Sequence, residues 1–144
     1  RDLIHERVDW DSVDIILGIE AMGIPLATAL SLESGKPLVV GRKRSYGLPG
    51  EFAIDQTTGY SKGEIYLNDI KKGDRIFIVD DVVSTGGTLL PILKGIDSIG
   101  AKVSDCWIIF EKGEGMNYVR KQGDWPLNSL VRIKMDGEKV TLLN

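Results

Sequence analysis

The feature that most constrains this chain is a repeated alternation of apolar runs with helical segments. The sequence predicts a strand at 14–18, a helix at 23–34 that ends before Gly35, and a strand at 36–41. It then predicts a strand at 75–79, a helix at about 89–99 closed by Gly100, and a strand at 102–110. Each set is typical of a right-handed βαβ unit. We therefore expect an α/β fold, a mostly parallel twisted sheet with helices on both faces.

Length and composition indicate an ordinary domain with one core. The chain has 144 residues, 42% hydrophobic and 27% charged, so we expect a single domain spanning 1–144. It starts at Arg1 and not at Met, which is compatible with a missing natural N-terminal segment. The net charge of −3 gives no reason to expect a nucleic-acid partner, and no run reaches the roughly 18–20 apolar residues of a membrane span. The single Cys106 excludes an intrachain disulfide and favours a buried thiol in the cytoplasm.

The remaining segments carry weaker patterns. The stretch 42–63 is polar, glycine-rich and aperiodic, so the sequence predicts a long working loop there. Its basic start, "GRKRS", is unusual in an acidic chain. We also expect the end of a helix at about 2–9, an antiparallel strand at 63–67, and a hairpin around Asp136 and Gly137 in a tail without recognisable chemistry.

The stretch "IFIVDDVVSTGGT" (76–88) is the strongest functional signal. After Val79 we expect the chain to leave the sheet and turn into a helix, with Thr88 as the N-cap. The small and hydroxyl-bearing residues between them permit a tight turn. Free N–H groups and the helix dipole then favour a phosphate. Neither a P-loop nor a dinucleotide-binding glycine pattern is present, which excludes these two known phosphate sites.

Asp80 and Asp81 lie directly before this anion loop, which raises an electrostatic question. Three interpretations are open. The two residues are solvated acids at a strand end, or they form a site for a divalent metal, or they accept hydrogen bonds from the hydroxyls of a sugar whose phosphate occupies the loop. The third interpretation explains why acids and anion site adjoin. A 5-phosphoribosyl group carries its hydroxyls and its phosphate on different edges of one ring, so both features would bind one ligand.

This stretch resembles the phosphoribosyl pyrophosphate motif of the type I phosphoribosyltransferases. The resemblance implies that family's fold, with a mobile loop and a small hood. It also implies that Asp80 and Asp81 hold the ribose hydroxyls, with a metal ion bound only indirectly through those hydroxyls or water. The 5-phosphate would be held by the loop residues Val83, Ser84, Thr85, Gly86, Gly87 and Thr88.

Two further segments resemble motifs of the purine branch of this family. "GIEAMGIPLA" is similar to its pyrophosphate loop, which assigns Glu20, Ala21, Met22 and Gly23 to pyrophosphate binding. "GRKRSYGLPGE" is similar to its mobile catalytic loop, which adds Arg42 and Lys43 to pyrophosphate binding. In their combination, the segments most resemble the archaeal hypoxanthine/guanine phosphoribosyltransferases, which have an adenine-phosphoribosyltransferase-like framework.

The resemblance implies a purine-salvage enzyme that uses Mg²⁺ and acts as a homodimer. It would transfer the phosphoribosyl group of phosphoribosyl pyrophosphate to a 6-oxo purine base, giving a nucleoside monophosphate (IMP or GMP). Catalytic roles would fall to Arg42, Lys43, Asp80 and Asp81. Two alternatives stay open: an adenine phosphoribosyltransferase, and a transcription-regulator domain that senses phosphoribosyl pyrophosphate without catalysis.

Base recognition and proton transfer are where the chain departs from the family. Lys112 follows the strand after the phosphate helix and is implied, with Glu111, to bind the purine, because an ammonium donor suits a 6-oxo group. Met22 replaces the arginine of adenine enzymes, Ser84 replaces the aspartate proposed as proton acceptor in other hypoxanthine/guanine enzymes, and Gly59 replaces a loop glutamate. We therefore expect catalysis mainly by positioning and electrostatics.

Overall fold

The computed structural model of the chain describes residues 1–57 and 62–143. Its strands are β1 Ile15–Ile19, β2 Leu38–Gly41, β3 Phe52–Thr57, β4 Lys62–Leu67, β5 Arg75–Val83, β6 Lys102–Lys112, β7 Leu127–Asp136 and β8 Lys139–Leu142. Its helices are α1 Asp2–His5, α2 Gly23–Ser34, α3 Leu89–Ile99 and α4 Gly115–Arg120, with a 3₁₀ turn at Trp10–Ser12.

The main sheet has six strands in the order β2-β1-β5-β6-β7-β8. The first five are parallel, and only β8 pairs antiparallel, with β7. This confirms the predicted mostly parallel α/β sheet and the hairpin at Asp136 and Gly137. A separate antiparallel pair, β3 and β4, forms a short arm beside the sheet.

Alternate residues of the central strands pack into two cores on opposite faces of the sheet. On one face, Ile16 and Phe77 pack with Ala27 of α2. On the other, Leu17 and Ile78 pack with α3 and with the apolar residues of the β3–β4 arm. Helices therefore cover both faces, as the sequence predicts.

Both long helices end where the sequence indicates. Gly35 follows α2 with φ 70°, and Gly100 follows α3 with φ 81°. Glycine is favoured in this left-handed conformation because it has no Cβ. The helix bounds 23–34 and 89–99 are confirmed.

Three expectations about local structure are wrong. The strand predicted to end at Val79 continues to Val83, because β5 stays paired with β6 beyond the two acids. The predicted loop 42–63 contains β3, which hydrogen-bonds to β4. The first helix stops at His5 instead of running to about Asp9.

The single cysteine is buried, as the sequence predicts. The Cys106 side chain is fully buried in the sheet, and this burial raises the pKa of its thiol. Among the described residues, no helix has the length and apolar character to cross a membrane.

Candidate active site

A topological switch point lies between β1 and β5 of the main sheet. β1 and β5 are neighbours, and the helices that follow them, α2 and α3, pack on opposite faces. Ligands of open α/β sheets bind outside the carboxyl ends of the strands at such a point. A cavity of about 410 Å³, here called the switch-point cavity, lies there. It is lined by Ile19, Glu20, Ala21, Met22, Lys43, Gln56, Asp80, Asp81, Val82 and Thr88.

The turn after β1 approaches the two acids closely. A Cβ at Gly23 would lie 2.8 Å from the carbonyl oxygen of Val79 and 3.0 Å from Oδ1 of Asp80, so only glycine fits. The turn contains a cis peptide bond between Glu20 and Ala21. Met22 is 58% exposed and lines the cavity. The predicted pyrophosphate residues of this turn therefore lie beside the acids.

Asp80 and Asp81 both line the switch-point cavity near the end of β5. The backbone N–H of Asp81 donates a 2.9 Å hydrogen bond to Oδ1 of Asp80. Burial, and then the neighbouring Asp81 carboxylate, raises the pKa of Asp80 to about 7. A carboxylate that is this costly to ionise gains from hydroxyl donors or a cation in the cavity. This environment argues against simple solvated acids.

The loop between β5 and α3 forms a second cavity of about 170 Å³, here called the loop cavity. It is lined by Asp80 and by residues 82–89. Gly86 has φ 80°, and the backbone N–H groups of Thr85 and Gly86 make no hydrogen bond to any described residue. Such unpaired N–H groups before a helix are suited to an anion. Thr88 is the N-cap residue of α3 but makes no side-chain capping bond, so the predicted cap hydrogen bond is absent from the described residues.

Helix α4 packs against this loop. The N–H of Gly115 donates a 3.0 Å hydrogen bond to the carbonyl oxygen of Ser84. A Cβ at Gly115 would lie 2.2 Å from that oxygen, and a Cβ at Gly86 would lie 2.6 Å from Val119 Cγ2. Two glycines thus permit the close packing that holds the loop in place.

The two cavities adjoin. Asp80, Val82 and Thr88 line both of them, so Asp80 lies between the anion loop and the turn after β1, while Asp81 lines the switch-point cavity. One ligand can therefore reach the loop, the carboxylates and the turn together.

Of the two predicted basic residues, the structure brings only Lys43 to this site. The Lys43 N–H donates a 2.8 Å hydrogen bond to Oε2 of Glu20, and its side chain lines the switch-point cavity. The Arg42 guanidinium lies 4.9 Å from the ring centroid of Tyr46 and donates to its hydroxyl at 3.3 Å. Arg42 lines a separate groove beside β2.

The segment after Lys43 is organised by Glu51, which the sequence analysis missed. Its carboxylate accepts hydrogen bonds from the Ser45 hydroxyl, from the N–H of Tyr46 at 3.0 Å and from the Asn68 side chain at 3.2 Å. The Ser45 contact and then the Tyr46 contact lower the pKa of Glu51. Glu51 therefore shapes the loop that carries Lys43. Gly59, the position without the family glutamate, lies outside the described residues.

A third cavity of about 380 Å³, here called the β6–β7 cavity, lies at the carboxyl ends of β6 and β7. Ser84 lines both this cavity and the loop cavity. Lys112 and Glu111, the predicted base-binding residues, also line it. Glu111 is 1% exposed, and its carboxylate is already bound by protein side chains, which leaves Lys112 as the more accessible of the pair.

Gln56 is a residue of the switch-point cavity that the sequence did not reveal. β3 is held on α3 by Ile54, whose Cδ1 lies 2.5 Å from where a Cβ of Gly95 would be. This packing brings the Gln56 amide to the site, where it donates a hydrogen bond to Oγ1 of Thr88. The sequence signal for this strand was weak, because the apolar run 52–54 is short and the residues after it are polar.

The acids also bear on metal binding. Within 1–57 and 62–143, no three His, Cys, Asp or Glu side chains form a metal cluster. Mg²⁺ is usually bound through one or two carboxylates together with substrate phosphates and water. Asp80 and Asp81 fit such a shared ion.

The chain is similar to known proteins over most of its length. The family model "Phosphoribosyl transferase domain" matches residues 2–129. A hypoxanthine/guanine phosphoribosyltransferase of Ferroglobus placidus is 55% identical over 148 residues, covering 96% of this chain and 78% of that protein. One of Methanohalobium evestigatum is 52% identical over 131 residues, covering 91% of this chain and 68% of that protein.

The fold also occurs in solved structures. The adenine phosphoribosyltransferase of Leishmania tarentolae superposes with a TM-score of 0.79 at 21% identity, covering 91% of this chain and 68% of that chain. At this identity the likeness concerns the fold. The family model and the archaeal relatives together show that the chain belongs to the phosphoribosyltransferase family, as its three motifs predict.

Proposed function

We propose that this protein transfers the 5-phosphoribosyl group from phosphoribosyl pyrophosphate to hypoxanthine or guanine, giving IMP or GMP and pyrophosphate. The observation that carries this proposal is the position of Asp80 where the loop cavity adjoins the switch-point cavity, with Asp81 beside it in the switch-point cavity. A ribose held there has its 5-phosphate on one side and its diphosphate on the other. The archaeal relatives named above support the 6-oxo purines as acceptors.

Catalysis follows from charge and position. Positive charge grows on the ribose and negative charge on the leaving diphosphate in the transition state, so cations near the diphosphate lower the barrier. Lys43 lines the cavity where the diphosphate would lie. When bound, Mg²⁺ held through Asp80 and Asp81 would supply further positive charge to the diphosphate. Ser84 offers a hydroxyl and no carboxylate, so this chain relies on positioning and electrostatics more than on a side-chain base at that place.

Formation of nucleotide tests the proposal. Purified protein is mixed with Mg²⁺, phosphoribosyl pyrophosphate and hypoxanthine, guanine or adenine, and the products are separated by chromatography. The proposal expects IMP and GMP and little AMP. AMP alone would support the adenine alternative, and ligand binding without any nucleotide would support a regulator domain.

Lys43→Met is expected to lower kcat by about 100-fold with a smaller change in KM, because a charge acting mainly on the leaving group is lost. Arg42→Met is the matched control, since Arg42 stacks on Tyr46 outside the cavity. Steady-state kinetics with hypoxanthine measure both. Equal losses of kcat in the two variants would show that Arg42 also acts on the leaving group, which requires the loop to move Arg42 into the switch-point cavity.

Gln56→Leu is expected to raise the KM for phosphoribosyl pyrophosphate about three- to tenfold, because one neutral hydrogen bond near the phosphate loop is lost. Gln56→Asn keeps the amide but shortens its reach, so an intermediate value is expected. Asp55→Asn, an exposed change one residue earlier, serves as the control. An unchanged KM in Gln56→Leu would show that Gln56 does not contribute to the binding of phosphoribosyl pyrophosphate.

The homodimer implied by the family resemblance is also part of the proposal. A groove beside the edge strand β2, lined by Leu38, Val40 and Leu48, leaves apolar surface for a second copy. Leu48 is 52% exposed in the single chain. Sedimentation equilibrium gives the oligomeric state directly.

A further inference from the structure

Glu111 is a buried charge in the wall of the β6–β7 cavity. It is 1% exposed and is the only charged residue in the buried set of the described chain. Its Oε2 accepts a 2.8 Å hydrogen bond from the Ser129 hydroxyl. Arg120 Nη2 lies 3.4 Å from Oε2, and Arg132 Nε lies 3.3 Å from Oε1. A buried carboxylate requires such partners, so Glu111 holds both arginines in defined positions.

The two arginines differ in what they reach. Arg132 lines the β6–β7 cavity and is 47% exposed, while Arg120 lies on α4 and also donates to Asn117 at 3.2 Å. Glu111 engages Arg132 through Nε. Among residues 1–57 and 62–143, no hydrogen-bond acceptor binds the terminal amino groups of Arg132, so they can serve a ligand in the cavity.

The cavity has the character of a site for a flat polar ring. Ile133, Met135 and Leu143 give it an apolar wall, Lys112 is a second donor besides Arg132, and the exposed Glu114 and Lys134 lie at its rim. Small-molecule sites commonly combine apolar walls with a few placed polar groups. Ser84 joins this cavity to the loop cavity, so a ring here is next to a ribose 5-phosphate bound in the loop.

We propose that Arg132, positioned by Glu111, is a specificity-determining residue that donates with Lys112 to the 6-oxo group of the purine. A carbonyl oxygen has two lone pairs and accepts from both cations, whereas the 6-amino group of adenine is itself a donor. A site built from two donors therefore favours hypoxanthine and guanine over adenine. This inference rests on the proposed function and deepens it, because it adds a residue of the tail, Arg132, to the groups that select the base.

The test compares the binding of IMP and AMP by calorimetry, which does not depend on turnover. Arg132→Met is expected to lose about tenfold or more in affinity for IMP, because a charged hydrogen bond is removed, while its affinity for AMP changes less than about twofold. Arg132→Lys keeps the charge and is expected to retain part of the preference. Glu111→Gln is expected to reduce the preference too, and combining it with Arg132→Met should add little, because Glu111 acts through Arg132.

Arg120→Met is the matched control. It removes the other arginine from the same carboxylate, but Arg120 does not contribute to the lining of the cavity. It is expected to leave the ratio of IMP to AMP affinity unchanged, even if stability falls. Circular dichroism and urea unfolding establish that each variant is folded, and Arg132→Lys replaces Arg132→Met if the latter is not.

The outcomes separate this inference from the proposed function. Equal losses of IMP and AMP affinity in Arg132→Met, or the same change of ratio in Arg120→Met, would overturn the role of Arg132. So would a wild-type protein that binds IMP and AMP equally. If the wild type makes IMP from hypoxanthine in any of these cases, the proposed function still stands.

Discussion

Replacing Asp80 and Asp81 together by asparagine is expected to weaken binding of phosphoribosyl pyrophosphate by at least about 100-fold, because two charge-assisted contacts to the ribose hydroxyls or metal are lost. Both carboxylates line the cavity that the ligand would occupy. Calorimetry in the presence of Mg²⁺ measures the loss. Asp124→Asn, an exposed change before β7, is the control. Unchanged affinity in the double variant would show that the two carboxylates do not bind phosphoribosyl pyrophosphate.

Asp80→Asn alone is expected to stabilise the fold in the absence of ligand. Burial raises the pKa of Asp80 from 3.8 to about 7, so the folded state binds this proton more tightly than the unfolded state. The contribution of this group to the free energy of unfolding of the wild type is therefore fully present below about pH 4 and is lost as the pH rises toward 7. Without ligand or metal, Asp80→Asn is expected to increase the free energy of unfolding at pH 7 by on the order of 1–2 kcal/mol.

Urea unfolding at pH 4 and pH 7 tests this sign. The gain from Asp80→Asn is expected at pH 7 and should nearly vanish at pH 4, where the wild-type carboxyl is protonated in the fold. A variant that is less stable at pH 7 would show that the Asp80 charge supports the fold. Loss of binding with a gain of stability would mark Asp80 as a residue kept for its ligand.

Gly115→Ala is expected to lower both the stability of the fold and the binding of phosphoribosyl pyrophosphate. Its Cβ would lie 2.2 Å from the carbonyl oxygen and 2.5 Å from the carbonyl carbon of Ser84, both of which are backbone atoms that cannot turn aside. The loop or α4 must therefore shift, at a cost of about 1–3 kcal/mol in the free energy of unfolding. Because the same loop would hold the 5-phosphate, we also expect the KM for phosphoribosyl pyrophosphate to rise by about tenfold or more.

Gly63→Ala is the control for this substitution. Its nearest contact would be an ordinary 3.8 Å to the Gln56 side chain. Urea unfolding and steady-state kinetics measure stability and KM for both variants. If Gly115→Ala lost stability but kept its KM, α4 would support the core without shaping the phosphate loop.

The parts of the fold that local chemistry decides were predictable. Gly35 and Gly100 end α2 and α3 because the chain there needs a left-handed residue. The apolar runs before and after α3 lie in a parallel sheet covered by helices, so their hydrophobic character is continuous. The motif from Ile76 to Thr88 could also be identified from the sequence, because its acids and glycines lie close together along the chain.

The parts that distant packing decides were not predictable. β3 is stabilised by pairing with β4 and by the fit of Ile54 against Gly95, and the second half of its own sequence is polar. β5 continues past Asp80 because β6 remains beside it, although acids at that point look like the end of a strand. Gln56 reaches the switch-point cavity through the packing of β3, and Lys43 reaches it beside Glu20, to which its N–H donates.

The tail shows the same limit most clearly. Arg132 lies 21 positions after Glu111 and has no motif around it. The pairing of β6 with β7 places Arg132 opposite Glu111, and burial of the carboxylate then makes the contact obligatory. The position proposed for Arg132 therefore could not be read from the sequence, whereas Lys112 follows a predicted strand and the residues proposed to bind the phosphoribosyl group form a continuous motif.

A crystal structure with phosphoribosyl pyrophosphate and Mg²⁺ bound tests the central claim most directly, because the claim concerns how one ligand spans two adjoining cavities. The account predicts the 5-phosphate on the N–H groups of the loop 84–88, the ribose hydroxyls at Asp80 and Asp81, and the diphosphate beside Lys43 in the switch-point cavity. A ligand with its diphosphate in the loop cavity, or with its ribose away from both carboxylates, would contradict it.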